Sequence, residues 1–188
     1  MAYDKSFDNT DVSLLAVAYR DQLALKESNQ EQRNLTFGFN GNVMHNKKYL
    51  LDFSLSMLGS QKLTVDKRMT FAPSLGLGWI LSEEGFMADN KVFNYLKLRT
   101  SAGIMKNDNW TDYWLHTSAY QSSTNFNYNN ATNSNNARIF STLASDVNWQ
   151  KRKELVLGFD ASMFNNSLWL EGSVFYTEQY DMITELEN

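Results

Sequence analysis

Cysteine is absent from this chain of 188 residues, and histidine, proline and long apolar runs are scarce. The lack of cysteine excludes a disulfide scaffold, a thiolate zinc site and a cysteine nucleophile. The two histidines, His45 and His116, are too few for a histidine-rich metal site. No apolar run approaches the roughly 18 residues that a transmembrane helix needs. A transmembrane strand is not excluded, because its signature is alternation and not overall hydropathy.

The charge balance argues against nucleic acid as a partner. Lysine and arginine number 17 against 21 acidic residues, which gives a net charge of −4 and a pI near 5.2, whereas nucleic-acid-binding domains are typically basic. Residues 1–5 do not combine a basic region with an apolar stretch, so we expect no secretory signal within this sequence. Two interpretations stay open: a cytosolic protein, or a piece of a longer or processed protein.

The sequence does contain long stretches of strict alternation. From Tyr49 to Met57 every odd position is apolar, whereas Asp52, Ser54 and Ser56 are polar. A period of two predicts a strand with one apolar and one polar face. Several such runs reach ten or more residues, which suits a tilted membrane-crossing strand of about 9–11 residues. The pattern predicts an antiparallel meander with strands near residues 12–26, 33–45, 48–58, 68–82, 94–105, 112–121, 138–149, 152–163 and 168–179.

Connection lengths and face chemistry add to this prediction. Residues 45–48 and 164–167 have tight-turn composition, whereas residues 59–68 and 107–136 are longer polar links. Short turns at one end and long loops at the other are typical of outer-membrane barrels. Small polar residues on the wet face suit a lumen wall. Aromatic residues near strand ends suit an interfacial girdle, and these are Tyr49, Trp79, Tyr95, Trp149 and Tyr176. On pattern alone, a membrane barrel and a soluble β-sandwich stay open.

The alternation also assigns individual side chains to the two faces. We expect the apolar set to face lipid if the chain forms a barrel: Phe53, Leu55, Phe71, Leu75, Leu77, Leu157 and Phe159. We expect the polar set to face the lumen: Ser54, Gly76, Gly78, Lys97, Arg99 and Asp160. Pro73 cannot donate a backbone hydrogen bond, so it should lie at an edge, a bulge or an exposed strand end.

One block of sequence carries a family resemblance. Phe71–Met87 (FAPSLGLGWILSEEGFM), followed by Tyr95–Gly103 (YLKLRTSAG), resembles the SusC/RagA family of TonB-dependent outer-membrane transporters of Bacteroidetes. The resemblance extends over roughly residues 35–183. Ala72 between Phe71 and Pro73, and Gln150 after a tryptophan, depart from the family pattern. The motif residues that the resemblance marks as structural are Phe71, Pro73, Ser74, Gly78, Trp79, Glu83, Glu84, Phe86, Lys97, Arg99 and Gly103.

The resemblance implies an all-β fold: an antiparallel up-and-down meander that forms part of a large transmembrane β-barrel of about 22 strands. Residues 1–188 would be a partial barrel domain, with the plug, the TonB box and the final strands outside it. The implied function is TonB-driven import of glycans or peptides in the outer membrane. The implied partners are the rest of the barrel, a SusD-like lipoprotein, TonB through the plug, and outer-membrane lipid.

The alternative function is a soluble β-barrel or β-sandwich that binds a ligand such as a carbohydrate. We find no convincing catalytic set, phosphate loop or dinucleotide motif, so we expect neither an enzyme nor a cofactor. An asparagine-rich stretch offers amides and aromatic rings for sugar binding, although a plain extracellular loop is the simpler interpretation. Its candidate ligand contacts are Asn125, Phe126, Asn127 and Tyr128.

Overall fold

The computed structural model of the chain describes residues 1–24, 31–109, 120–127, 134–140 and 147–182. These residues are almost entirely β-strand, with two short 3-10 turns between β5 and β6. The strands, numbered in chain order, are β1 (Ala2–Phe7), β2 (Thr10–Ala24), β3 (Glu31–His45), β4 (Tyr49–Ser60), β5 (Met69–Ile80), β6 (Phe93–Asn107), β7 (Tyr120–Asn127), β8 (Ser134–Phe140), β9 (Gln150–Met163) and β10 (Leu168–Tyr180).

Eight of these strands form one antiparallel sheet in the order β1-β2-β3-β4-β5-β6-β9-β10. Each strand pairs with the next in the chain, except that β6 pairs directly with β9. β7 and β8 form a separate two-stranded sheet. The predicted all-β antiparallel meander is therefore confirmed. β1 and β10 are the edges of the sheet and do not pair with each other, so the described residues do not close a small barrel.

Three of the predicted strands need correction. The prediction missed β1, which pairs with β2 from Ala2↔Leu15 to Phe7↔Thr10, so the strand predicted near 12–26 is not the edge of the sheet. The strands predicted near 112–121 and 138–149 fall largely outside the described residues. Their described parts lie in the β7–β8 hairpin or, at residues 147–149, in no strand. Among the described residues the main sheet therefore has eight strands, because β6 and β9 satisfy each other's hydrogen bonds without an intervening pair.

The register separates apolar from polar side chains as the alternation predicted. Phe53 lies opposite Gly41 and Leu75, whereas the neighbouring Asp52 lies opposite Asn42 and Gly76. Directly opposite residues share a face of the sheet. By this criterion Phe53, Leu55, Phe71, Leu75, Leu77, Leu157 and Phe159 share the apolar face. Ser54, Gly76, Gly78, Lys97, Arg99 and Asp160 share the polar face.

The polar face is the hollow side of the sheet. A cavity of about 920 Å³ on this side is lined mainly by polar-face residues, from Asp4 on β1 through Ser54 and Ser74 to Ser101 on β6. On the other side the apolar residues stand more exposed, and Leu77 retains 49% of its accessible surface. We call these two surfaces the concave and the convex face.

Neither face of the sheet is covered by protein in the described part of the chain. The buried apolar residues there are Leu63, Val147, Trp149 and Ala161, and the first three lie in or beside loops. A β-sandwich needs two sheets packed about 10 Å apart with interlocking side chains. The described residues instead give one sheet with large apolar side chains exposed along whole strands, so the sandwich alternative is not supported.

One end of the sheet holds the short turns after β1, β3 and β9, as predicted for residues 45–48 and 164–167, together with the longer β5–β6 connection of residues 81–92. Asn46 and Lys47 adopt φ of 53° and 58° as the central residues of a β-turn that the Lys48 amide closes by donating to the His45 carbonyl at 3.0 Å. Neighbouring turns are also joined: the Asn46 amide donates to the Asn9 carbonyl at 2.7 Å, and the Phe164 amide to the Val92 carbonyl at 3.0 Å. We call this the short-turn end and the opposite one the long-loop end.

Within the described ranges, no helix is long and apolar enough to cross a membrane.

Candidate functional site: the concave face and the two strand ends

A charge network crosses three strands on the concave face. Arg99 on β6 donates from Nε to Asp160 Oδ1 on β9 at 3.2 Å and from Nη2 to Glu171 Oε1 on β10 at 2.8 Å. The Asp160 side chain is 17% exposed and that of Glu171 is 62% exposed. Such partly solvated pairs contribute about 0–1 kcal/mol each. Their main effect is to fix the position of the Arg99 guanidinium on the concave face.

Two glycines make room for the long cationic side chains. A Cβ at Gly158 would lie 2.9 Å from the Arg99 Cζ, so the guanidinium passes directly over the Gly158 backbone. A Cβ at Gly78 would lie 3.2 Å from the Lys97 Cε, so the Lys97 side chain passes over the Gly78 backbone of β5. Lys97 and Arg99 both lie on this face, as the alternation predicted. Arg99 is paired with acids on β9 and β10.

Two aromatic rings stack on the concave face near the short-turn end. Tyr95 on β6 and Trp169 on β10 both lie opposite Ser162 of β9. Their rings meet over this small residue with centroids 6.0 Å apart and an interplanar angle of 12°. Ser162 is 4% exposed as a result, whereas Trp169 is 60% exposed. Tyr95 therefore does not belong to an outward-facing girdle as predicted, because the register turns its side chain inward.

The Glu84 carboxylate joins the girdle aromatics at the short-turn end. Glu84 lies between the 3-10 turns Leu81–Glu83 and Gly85–Met87. Its Oε1 accepts from the Tyr49 hydroxyl at 2.8 Å and from the Trp79 indole at 3.0 Å, and its Oε2 accepts from Lys48 Nζ at 3.2 Å. These hydrogen bonds, from Tyr49 first, then Trp79 and Lys48, hold the pKa of the Glu84 carboxyl below its ordinary value.

Because folding lowers the pKa of Glu84, this carboxylate stabilises the folded chain above its unfolded pKa of about 4.3. That contribution is lost as the pH falls through the lower folded pKa. We therefore expect the Trp79 and Tyr49 side chains of the full-length protein to loosen below about pH 4. Protection factors of the amides across residues 81–88, which are exchange rates corrected for the intrinsic pH dependence, check this when measured between pH 3 and 6. Glu84→Gln should abolish the pH dependence, and an unchanged pH profile in that variant would contradict the assignment.

The long-loop end has a small core of its own. Leu63, Val147 and Trp149 are 0%, 2% and 5% exposed and pack together, with Leu58 against them. The Trp149 indole donates to the Lys67 carbonyl at 2.8 Å. The core joins the β4–β5 loop to the final residues of the β6–β9 loop. Trp149 was predicted to lie in an interfacial girdle, and this is wrong, because the 61–68 loop covers its ring.

The first residue of the β6–β9 loop is held on the same neighbouring loop. Lys62 Nζ donates to the Asp108 carbonyl at 3.1 Å, and the Ser60 hydroxyl donates to the Asp108 carboxylate. Both ends of residues 108–149 are therefore attached to residues 60–67. The candidate ligand residues lie within this loop. Asn125, Phe126 and Asn127 are in β7 without a described side chain, and Tyr128 lies outside the described residues.

The motif residues occupy distinct places around β5 and β6. Pro73 lies inside β5 and pairs with Leu55, but the β5–β6 ladder begins only at Ser74↔Gly103, so Pro73 is at a locally free edge, one of the expected positions. Phe71, Pro73 and Trp79 are on the convex face, whereas Ser74, Gly78, Lys97, Arg99 and Gly103 are on the concave face. Glu83 and Phe86 lie in the two 3-10 turns. The motif residues therefore form part of the sheet and of its short-turn end, and they do not form a reaction centre.

A long-stranded antiparallel sheet with a concave polar face, a convex apolar face and open edges is part of the wall of a large transmembrane β-barrel. Comparisons with known proteins agree. The chain is 28% identical over 145 residues to the TonB-dependent receptor P26 of Formosa agariphila. The aligned residues are 77% of this chain and 14% of that receptor. It is 33% identical over 90 residues to the TonB-dependent receptor SusC of Bacteroides thetaiotaomicron. The aligned residues are 47% of this chain and 9% of SusC.

Solved structures show the same fold. The RagAB peptide transporter matches with a TM-score of 0.77 at 18% identity, over 98% of this chain and 23% of that one. A second structure, of the RagAB peptide importer in the "open-open" state, matches with a TM-score of 0.77 at 19% identity. No protein-family model matches the chain. The resemblance to the SusC/RagA TonB-dependent receptors of Bacteroidetes is nevertheless confirmed by these relatives. Their names describe receptors, a transporter and an importer, and not enzymes.

Proposed function

We propose that the chain forms wall and outer loops of an outer-membrane nutrient importer driven by TonB. The observation that carries the proposal is the exposed apolar convex face, which runs along whole strands of a sheet whose relatives are TonB-dependent receptors. Exposed apolar surface of this extent needs a cover. In a membrane barrel this surface is covered by lipid. The strands β2 to β6 have 12–15 residues, which is long enough for a tilted crossing of the membrane.

The remaining polypeptide of the receptor would complete the barrel. β1 and β10 each have one side without a partner strand among the described residues. In lipid each unpaired backbone group costs several kcal/mol, so both edges need further strands. A complete barrel of about 22 strands has a lumen wide enough to hold a plug. The chain spans 14% of the Formosa relative's length, which leaves room for these parts elsewhere.

The two ends of the sheet would face opposite compartments. Outer-membrane barrels place short turns in the periplasm and longer loops outside the cell. The short-turn end, with its joined turns and the Glu84 contacts, is accordingly periplasmic. Residues 61–68 and 108–149 are extracellular and stand where a SusD-like lipoprotein and the imported nutrient would arrive. Asn125, Phe126, Asn127 and Tyr128 are the candidate nutrient contacts in this proposal.

Peptides and glycans are the two substrate classes to test. The structural relative is a peptide transporter, but at 18% identity this likeness concerns the fold and does not choose a substrate. Cells lacking the full-length receptor should lose uptake of one labelled class, and cells lacking TonB should lose the same uptake. Restoring the receptor with Asn125, Phe126 and Tyr128 changed to alanine should weaken that uptake. Normal uptake of both classes in cells lacking the receptor would refute the proposed function.

Site-directed labelling tests the orientation directly. In a full-length receptor without other cysteines, Asp66→Cys should react with a membrane-impermeant maleimide on intact cells. Asn165→Cys, in the β9–β10 turn, should react only after the outer membrane is permeabilised. Both positions are in exposed turns, so access alone separates them. Labelling of Asn165→Cys on intact cells would reverse the assigned orientation.

A further inference from the structure

The β5–β6 seam is paired over only part of its length. Its ladder begins at Ser74↔Gly103 and runs to the short-turn end. On the other side of this pair both strands continue toward the long-loop end, β5 through residues 69–73 and β6 through residues 104–107, but in the described part of the chain they do not pair with each other. We call the space between these two segments the fork. β5 stays paired with β4 and β6 with β9 alongside it, so the fork lies inside the sheet, away from the edge strands β1 and β10.

A gap in the wall lies where the fork begins. A cavity of about 420 Å³ there is lined by Pro73 and Ile104 from the convex face. It is also lined by Ser74, Gly103 and Glu154 from the concave face, and these three residues line the cavity of about 920 Å³ on that face as well. Pro73 has no amide hydrogen, so it cannot donate a ladder hydrogen bond into the gap. Residues of both faces therefore meet in one cavity, at a point where the backbone does not close the wall.

The Lys106 side chain crosses the fork. Lys106 belongs to the convex side of β6, because it follows Thr100 by an even number of residues in an uninterrupted ladder with β9. Thr70 belongs to the concave side of β5, four positions before Ser74. Lys106 Nζ nevertheless donates to Thr70 Oγ1 at 2.6 Å. A side chain can pass from one face to the other only where no ladder joins the strands, so this hydrogen bond takes the place of backbone pairing in the fork.

Loop contacts hold the outer end of the fork together. Asp108 directly follows β6 and accepts hydrogen bonds from Ser60 and Lys62, at the end of β4 and just beyond it. Trp149 directly precedes β9, donates to the Lys67 carbonyl near the start of β5 at 2.8 Å, and packs in the core at the long-loop end. These contacts join the β4–β5 side of the fork to the β6–β9 side through side chains, and they do not belong to a ladder.

We propose that the fork is a gate in the wall and that these side-chain contacts, together with the Lys106–Thr70 hydrogen bond, are its latch. With the latch formed, the two parts of the sheet are held together at the long-loop end. With the latch released, the ladder near the short-turn end is what joins them, so the strands can separate at the fork. In the proposed orientation the fork lies at the outer end of the strands, where water can satisfy its backbone groups, and this step rests on the proposed function. Because residues 108–149 carry latch contacts at both ends, movement of this loop is transmitted to the wall.

Pairs of spin labels in the full-length receptor test the gate in lipid vesicles. In a receptor without other cysteines, Phe71→Cys and Ile104→Cys place nitroxides on opposite sides of the fork and on the same face. Leu77→Cys and Thr100→Cys are the matched control pair, because these residues lie directly opposite each other in the ladder. With the latch formed, both pairs should show dipolar broadening, since both lie on adjacent strands. This readout does not depend on uptake, so a failure of the gate and a failure of the proposed function are distinguishable.

Two variants release the latch. Lys106→Met keeps most of the length of the side chain and removes the ammonium, and Trp149→Ala removes the largest side chain of the core at the long-loop end. In each variant the broadening of the fork pair should be lost, and that of the ladder pair should not change. Lys97→Met, which removes an ammonium over the paired part of β6, is the control variant and should leave both pairs unchanged. Equal broadening of the fork pair in all four receptors, or equal loss in both pairs, would overturn the gate.

Discussion

Leu75→Arg is expected to destabilise the full-length receptor in a lipid bilayer by about 2–4 kcal/mol. Leu75 is the seventh of the 12 residues of β5, lies on the convex face opposite Phe53, and is 48% exposed. In a membrane-spanning barrel this position is close to the middle of the bilayer. A charge there must leave water for hydrocarbon, and the protein offers it no partner on this face.

Two comparisons make the expected loss specific to lipid. Leu77→Arg lies two residues closer to the Trp79 girdle and should cost less, because the penalty falls toward the interface. Ser54→Asn lies on the concave face and should cost under about 1 kcal/mol. Denaturant unfolding of the receptor in lipid vesicles measures all three free energies. Equal costs for Leu75→Arg and Leu77→Arg would contradict a bilayer around this face.

Trp149→Ala is expected to destabilise the core at the long-loop end by about 3–5 kcal/mol. The ring is 5% exposed and packs with Leu63 and Val147, and its indole donates to the Lys67 carbonyl. Truncation removes the largest side chain of a core that has three members, so the neighbouring side chains have little to collapse onto. The 61–68 loop should then open more often and release its hold on the β6–β9 loop.

Hydrogen exchange at two amides reports this opening. The Ser60 amide donates to the Arg68 carbonyl at 3.0 Å and the Lys67 amide to the Thr64 carbonyl at 2.9 Å, so both are protected only while the loop is closed. Trp149→Phe keeps most of the packing and loses one hydrogen bond, at a cost of about 1 kcal/mol. Unchanged protection at Lys67 in Trp149→Ala would show that the core does not hold the loop.

The strands and their faces could be predicted because period two is a local property. Leu51, Phe53 and Leu55 alternate with Asp52 and Ser54 whatever lies beside them, and the structure keeps that division. β2 was harder to define. Its register with β3 places Leu15, Val17 and Tyr19 on the concave face, so this strand is apolar on both sides and its alternation is weak.

Partner choice between distant strands could not be predicted. Arg99 contacts Asp160 and Glu171, which are 61 and 72 positions away, only because β6 pairs with β9 across residues 108–149. Trp149 has the composition of a girdle residue, and its burial depends on a loop more than 80 positions earlier. The inward turn of Tyr95 is different, because Tyr95 has the same parity as Lys97 and Arg99 and alternation alone places its side chain on the concave face.

The direct pairing of β6 with β9 has a consequence for how such a receptor changes over generations. The ladder stays in register to its last pair, Asn107↔Gln150, so residues 108–149 leave and re-enter the wall at adjacent points. Loop-closure entropy grows only logarithmically with length, and doubling such a loop costs about 0.6 kcal/mol, no more than one ladder hydrogen bond contributes. Insertions and deletions here should therefore be tolerated, and new specificities can arise on an unaltered wall.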